Sequence, residues 1–240
     1  HEVAGPGEDK HHHVRVGSME LRWEQHTEFS SVVLIGNGAI DATALPTDWL
    51  VGIRHKLLTG ALISTHTPDT APDGWLADWP NAVGGQVMSQ AADIATTLRP
   101  NALGLVDYRI INHQLDPARL GRLTQRLYEV ETYRMLALLG LPLAKHTGHT
   151  LNDLEQQLVG LVERLGATED LSEDQRLLDE LFGLAQTSEQ LMANTDYRFS
   201  ATQAYGRIVQ DRLDEIGEQA IEHRQPLGEF LERRFEPALR

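Results

Sequence analysis

The spacing of apolar residues changes near Asp116, and this change constrains the fold more than any other feature of the sequence. Before Asp116 the apolar segments are short and are interrupted by Gly, Pro and Asp, as in strands joined by turns. After Asp116, leucines recur at the spacing of amphipathic helices. The sequence therefore predicts an α+β fold, with a small mixed α/β domain followed by an antiparallel helical region that leads into a long C-terminal helix.

Domain boundaries follow from where one periodicity replaces another. We predict a flexible N-terminal segment over residues 1–13, an α/β domain over residues 14–115 and a helical domain over residues 116–240. Within the helical domain, an acidic hairpin is expected over about residues 151–196. A helix directed towards a membrane is expected to start within residues 226–240.

The N-terminal half contains short runs with the alternation of half-buried strands. One alternating run begins at Val14, and Asn37-Gly38 is a turn signal. Trp75 and Trp79 are expected to pack onto the sheet from a proline-rich loop. The expected elements are strands over residues 21–25, 29–35, 57–65 and 103–111, a short helix over 45–54 and the loop over 68–80.

Capping signals divide the C-terminal half into four helices. Asp116 is a suitable N-cap, and Pro117 suits the first helical position because its missing N–H needs no partner there. The first helix is expected to end near residues 140–142. The others are expected to start at Thr150, at the capping box of residues 172–175, and around Pro226, with a break allowed in the third helix near residues 194–196.

The second and third helices are each expected to carry an apolar stripe on one face, directed inward in the third helix. The second helix carries Leu151, Leu154, Leu158, Leu161, Val162 and Leu165, and the third carries Leu177, Leu178, Leu181, Phe182 and Leu184.

Composition excludes several classes of function. The net charge is −14, from 21 basic and 35 acidic residues, and no Lys/Arg-rich stretch offers the basic surface that nucleic-acid binding needs. The absence of cysteine excludes disulfides, thiolate zinc sites and iron–sulfur clusters. No apolar run approaches the roughly 20 residues that span a bilayer.

The expected hairpin is strongly acidic. Eleven Asp and Glu residues lie between Leu151 and Asp196, against Arg164 and Arg176. Such a surface is either simply solvated or binds a divalent cation or a basic partner. No cofactor is expected other than weakly bound Mg²⁺, for which the candidate ligands are Asp170, Glu173 and Asp174.

Other polar pairs have simpler interpretations. His146 and His149 have a spacing seen in metal sites, but they are expected to be surface histidines in a loop. His26 and Glu28 are expected to share a strand face as a buried structural pair. The sequence contains no G-x-S-x-G, H-E-x-x-H or P-loop motif, so no enzyme active site is predicted. Two helix-surface ion pairs are expected, Arg126–Glu129 and Glu131–Arg134.

Four sequence blocks carry a family resemblance. They are residues 21–29 (LRWEQHTEF), residues 121–142 (GRLTQRLYEVETYRMLALLGLP), residues 197–205 (YRFSATQAY) and residues 229–238 (EFLERRFEPA). In this order and spacing they resemble the bacterial domain-of-unknown-function family 3422, whose members are membrane-anchored proteins. The resemblance covers about residues 14–240, with Tyr108 at a position where phenylalanine is expected.

The resemblance implies a membrane anchor in a C-terminal region beyond Arg240, a location on the cytoplasmic side of the bacterial inner membrane, and no catalytic residues. The layout is also similar to the cytoplasmic domain of CorA-type magnesium transporters, which are homo-oligomers. Two functions are therefore expected: a non-enzymatic part of a cation-transport or cation-sensing assembly, or a membrane-tethered scaffold that binds a protein partner.

Overall fold

The computed structural model describes residues 9–38, 40, 57–167, 170–221 and 223–239, with side chains described as far as residue 234 in the last helix. The chain divides into two compact units, His1–Leu57 and Leu58–Arg240, and their described residues form separate cores. The helix predicted over residues 45–54 lies outside the described residues.

The first unit contains a three-stranded antiparallel sheet. Its strands are β1 (His11–Val16), β2 (Met19–Gln25) and β3 (Ser30–Ile35), paired in that order. Gly17 turns the chain between β1 and β2 with a φ of +62°, which glycine adopts without steric cost. Because side chains alternate along a strand, one face of this sheet collects a small core of Val16, Leu21 and Trp23.

The structure confirms Trp23 as a core residue, with 7% of its surface exposed. It corrects two other predictions in this unit. Residues 11–13, predicted to be flexible, pair with residues 22–24 of β2, because the hydrogen bonds of the ladder are made by the backbone and do not depend on the side chains. His26 and Glu28, predicted to share a strand face, lie in the turn between β2 and β3, where Glu28 is exposed.

The second unit begins with a four-stranded mixed sheet. The two strands predicted over residues 57–65 and 103–111 are present, and they pair in parallel. Two further strands, which the sequence did not predict, complete the sheet in antiparallel pairing. The strands are β4 (Ala61–His66), β5 (Gln86–Val87), β6 (Ala92–Pro100) and β7 (Val106–Asn112), in the spatial order β4-β7-β6-β5.

Four helices follow the sheet. They are α1 (Pro117–Leu138), α2 (Leu141–Ala167), α3 (Leu171–Ile216) and α4 (Leu227–Leu239). The predicted cap of α1 is confirmed, since the Asp116 carboxylate accepts a hydrogen bond from the backbone N–H of Arg119 at 2.8 Å. Gly217 ends α3 in a left-handed conformation, with its N–H directed to the last carbonyls of the helix.

Two predicted helix boundaries are wrong. The second helix starts at Leu141 rather than at Thr150, because Pro142 falls in its first turn, where proline is tolerated. The third helix is capped by Asp170 rather than by Ser172, and it continues without a break through residues 194–196. At about 1.5 Å per residue, its 46 residues form a rod about 70 Å long.

α1 and α2 lie one after the other along α3, antiparallel to it. As the chain advances along α1, its contacts step backwards along α3, from the ion pair Arg126–Glu215 to the stacked rings of Tyr133 and Tyr205. The hydroxyl of Thr202 then lies 3.4 Å from the carbonyl oxygen of Ala137. α2 continues in the same direction, so these helices form one long hairpin.

The core of the second unit lies between the sheet and one end of this hairpin. It joins Tyr108 and Ile110 of β7 to Leu123 and Leu127 of α1, with further residues from α3 and α4. The change in pattern at Asp116 therefore lies inside the second unit, because the strands and helices on either side of it bury one another. Among the described residues, the members of this core leave out the stretch between Leu138 and Tyr205.

Candidate functional site

A narrow seam holds α2 and the first half of α3 together outside the shared core. On α2, Thr147 and Leu161 are buried and Leu154 between them is half-buried, so the three recur every seven residues. On α3, Leu177 is buried and Leu184 is half-buried. This spacing is that of a coiled-coil seam, in which each helix buries only a narrow stripe against its neighbour.

A second apolar stripe on each helix remains exposed. The sequence predicts one apolar face on each helix, directed inward on the third helix. The inward position is wrong for Leu178, Leu181 and Phe182, because each apolar stripe is wider than one neighbouring helix covers. We call this surface the open apolar face. Its members, which are 44% to 81% exposed, are Leu151, Leu158, Val159, Val162 and Leu165 on α2 and Leu171, Leu178, Leu181, Phe182 and Met192 on α3.

Helix geometry places these stripes on the same side of the hairpin. An α-helix turns by about 100° per residue, so Leu158 and Val162 are displaced from the α2 seam in the same direction around the helix axis. Leu181 and Phe182 follow the α3 seam in the same sense. In an antiparallel pair, flanks with the same rotational sense face the same way, so the exposed residues of both helices form one continuous surface.

Ion pairs on the opposite side support this assignment. The Arg164 guanidinium lies 2.9 Å from a Glu173 carboxylate oxygen and 2.8 Å from a Glu180 carboxylate oxygen. All three residues are displaced from the seam of their own helix in the opposite direction around the helix axis. Contact between them across the hairpin therefore fixes one side as charged and paired, and it leaves the other side to the open apolar face.

Acidic residues flank the open apolar face without opposing cations. Arg164 and Arg176 are the only Lys or Arg residues from 147 to 196, and both are directed to Glu173 on the paired side. Glu155 on α2, and Asp174 and Glu189 on α3, fall within or beside the apolar stripes by helix rotation. The face therefore combines apolar surface with negative charge.

The three candidate Mg²⁺ ligands lie in the first turn of α3 or just before it. The Asp170 carboxylate caps the helix, accepting hydrogen bonds from the backbone N–H and the hydroxyl of Ser172, which lower its pKa. Glu173 pairs with Arg164, and Asp174 is half-buried. Within the part of the chain that the structure describes, no group of three or more His, Asp or Glu side chains is arranged to hold a metal ion.

A cavity of about 500 Å³ lies beside β4 and β7 in the second unit. Ser64 and His66 of β4, Arg109 of β7 and Asp78 of the loop after β4 contribute to its lining. The Ser64 hydroxyl is directed to the carbonyl oxygen of Tyr108 at 3.4 Å, and among the described lining residues no hydroxyl is hydrogen-bonded to a histidine.

Arg109 organises the loop next to this cavity. Its guanidinium donates to both carboxylate oxygens of Asp78 at 2.7 Å and to the carbonyl oxygen of Trp75, and it lies 3.8 Å from the ring centroid of Trp79. These contacts lower the pKa of Asp78 and raise that of Arg109. The predicted packing of the two tryptophans thus depends on Arg109, which donates its hydrogen bonds to the loop.

The buried position of Glu131 was not predicted from the sequence. This residue is predicted as half of a surface ion pair, but only 1% of its side chain is exposed, and it contacts Arg134, Tyr108 and Thr59. The i,i+3 spacing reveals only the Arg134 contact, because Thr59 and Tyr108 are brought near by the fold.

The pair predicted between Arg126 and Glu129 is present, with their closest atoms 3.1 Å apart. It is part of a larger network, because Arg212 of α3 contacts Glu129 and Arg126 contacts Glu215. These charges fasten α1 to α3.

The remaining candidate, His146-x-x-His149, is helical rather than looped. Both histidines are exposed in the first half of α2, since that helix begins before them. They are confirmed as surface residues.

These features define an α+β protein whose long helical hairpin carries an exposed, acidic and apolar surface. The chain belongs to the family described as "Protein of unknown function (DUF3422)", whose model matches residues 1–240. Comparison with curated proteins and with solved structures finds no match, and the likeness in layout to CorA-type transporters is not supported. None of the helices in the described part of the chain is both long enough and apolar enough to cross a membrane.

Proposed function

We propose that this chain is a non-enzymatic docking module that binds a protein partner through the open apolar face of its hairpin. The observation that carries the proposal is the exposure of ten large apolar side chains on one side of α2 and α3. Single exposed leucines are ordinary on protein surfaces, whereas a continuous apolar patch marks an interaction site.

The polar clusters support a non-enzymatic role. Arg109 is engaged with Asp78, and Glu131 is enclosed by its own hydrogen-bond donors. Side chains that bind or transform a substrate need unpaired hydrogen-bond donors or acceptors directed into a cavity. In both clusters the donors and acceptors are paired with other groups of the protein and stabilise the fold instead.

The family resemblance adds a location to this proposal. A membrane anchor elsewhere in the full-length protein would hold the module on the cytoplasmic side of the bacterial inner membrane, where the hairpin would recruit its partner. A cation-transport or cation-sensing role is the weaker alternative, because Asp170 and Glu173 already have partners within the hairpin.

Site-specific photo-crosslinking in cells that express the full-length protein tests the docking surface. A photoreactive amino acid is placed at Val162 or at Phe182, both on the open apolar face, and at Gln157, which is exposed on the paired side. We expect both face positions to form an adduct with one and the same protein. Gln157 should form none.

A second substitution tests whether the adduct depends on the face. Phe182→Glu, combined with the photoreactive group at position 162, should abolish the adduct while circular dichroism shows unchanged helix content. Adducts of equal yield at all three positions would indicate random encounters. That result, or the absence of any adduct at the face, would contradict the docking function.

A further inference from the structure

We infer that the partner presents a basic amphipathic helix, which lies along the groove between α2 and α3 and completes a three-helix bundle. The inference rests on the proposed docking function and adds the chemistry of the partner. Three observations carry it: the width of the apolar stripes, their length and the sign of the surrounding charge.

The width of the stripes favours a helix as the occupant. Leu158 on α2 and Leu181 on α3 each lie about 40° around the helix from the seam, so together they form the floor of a groove. Val162 and Leu178 lie farther round, about 100° from the seam, and form its two walls. An amphipathic helix fills such a groove with side chains spaced three and four residues apart, as a third helix does in a bundle.

The length of the stripes sets the length of the occupant. On α2 the exposed apolar residues run from Leu151 to Leu165, and on α3 they run from Leu171 to Met192. At about 1.5 Å per residue these stripes are about 21 Å and 32 Å long. A partner helix of about 15 to 21 residues would therefore cover the face.

The sign of the charge selects a basic helix. Glu155 and Asp174 border the groove by helix rotation, while Arg164 and Arg176 are occupied on the other side. Lysine or arginine at the edges of the partner's apolar stripe would meet these carboxylates, as flanking charges do in coiled coils. A second copy of this chain would instead bring carboxylates against carboxylates, and its net charge of −14 opposes close approach.

Synthetic helical peptides of about 20 residues test the inference with the whole purified chain. Three peptides are compared: one with leucines on one face and lysines at its flanks, one with glutamates in place of the lysines, and one with the lysine peptide's composition in scrambled order. Fluorescence anisotropy measures each Kd at low and at high salt. We expect the lysine peptide to bind roughly ten-fold more tightly than the glutamate peptide at low salt, with the difference shrinking as salt screens the charges.

Variants assign that preference to the face. Glu155→Gln combined with Asp174→Asn should reduce the preference for lysine while retaining helical content. Leu181→Glu, on the floor of the groove, should weaken the binding of the lysine and the glutamate peptides alike. Equally tight binding of the scrambled peptide would show non-specific charge attraction and overturn the inference.

The remaining outcomes separate this inference from the proposed function. Equal affinity for lysine and glutamate peptides would leave an apolar docking face and overturn the choice of a basic partner. Failure of every peptide to bind, together with specific photo-adducts at Val162 and Phe182, would likewise overturn the basic helix and leave the docking function standing. Dimerisation that Phe182→Glu abolishes in sedimentation measurements would assign the face to a second copy of the chain.

Discussion

Glu131 is a buried carboxylate whose two oxygens are both fully paired. Oε1 accepts hydrogen bonds from the Thr59 hydroxyl at 2.7 Å and from Arg134 at 2.6 Å. Oε2 accepts from Arg134 at 3.1 Å and from the Tyr108 hydroxyl at 3.3 Å. Because a buried charge is tolerated only when it is paired in this way, Glu131 fastens α1 to β7 and to the residues before β4. It is a structural residue.

Tyr108 gives this cluster a dependence on alkaline pH. Burial, reinforced by the Glu131 carboxylate, raises the pKa of Tyr108 well above its ordinary value of about 10. The unfolded chain therefore releases the phenolic proton at a lower pH than the folded chain does. The resulting stability is complete below about pH 10 and is lost as the pH rises towards the folded-state pKa.

Tyr108→Phe should remove that part of the alkaline loss of stability. Near pH 7 we expect a small change, about 1 kcal/mol or less, because Glu131 keeps three other donors and phenylalanine retains the ring. Denaturant unfolding between about pH 8 and pH 11 measures the effect. Tyr197→Phe, at an exposed position, is the control and should leave the pH dependence unchanged. If Tyr108→Phe and the parent chain lost stability in parallel, burial of the hydroxyl would not be the cause.

At the scale of elements, Gly140 lies between α1 and α2, where the chain passes close to Thr202 of α3. A Cβ at Gly140 would lie 2.3 Å from the Thr202 hydroxyl oxygen, and Thr202 is itself buried. Gly140→Ala should therefore destabilise the fold by about 1–3 kcal/mol, since one helix must shift. Thermal unfolding monitored at the helix signal measures this loss.

Gly148→Ala is the matched control within α2. No atom lies within 4 Å of a Cβ at Gly148, and this residue is exposed in the helix interior. Alanine favours the helix there, so we expect a gain of about 0.5–1 kcal/mol. Two substitutions with the same sign would show that propensity, rather than contact with Thr202, determines the effect at Gly140.

Local signals predicted some elements well and missed others for physical reasons. Asp116 and Pro117 act where the sequence places them, because capping is a local interaction. The start of α2 was misplaced because Pro142, a helix breaker in most positions, is harmless in a first turn. β6 was missed because Ala92–Pro100 contains small and polar residues, and its strand conformation depends on pairing with β7.

At the scale of the whole molecule, periodicity identifies apolar stripes but not what covers them. Leu123 and Leu158 follow the same helical pattern, yet Leu123 is buried in the sheet core and Leu158 is exposed. The difference lies in whether the sheet and α4 reach that part of the hairpin, which no local signal contains. For this reason the helices of the candidate site could be predicted from the sequence, whereas its exposed face could not.

The uneven charge of the hairpin predicts how salt affects the molecule. Carboxylates along α2 and α3 repel one another, so screening by salt should raise the midpoint of thermal unfolding. We expect MgCl₂ and NaCl at matched ionic strength to raise it equally. The reason is that Asp170 is held by Ser172 and Glu173 by Arg164, which leaves Asp174 as a single carboxylate ligand for a hard cation.

The triple variant Asp170→Asn, Glu173→Gln, Asp174→Asn distinguishes screening from binding at this site. Its unfolding midpoint should be lower in either salt, because the substitutions remove negative charge from the N-terminal turn of α3 and an ion pair across the hairpin. Its response to added salt should remain the same for MgCl₂ and NaCl. An extra stabilisation by Mg²⁺ in the parent chain that disappears in the triple variant would instead establish a cation site at the start of α3.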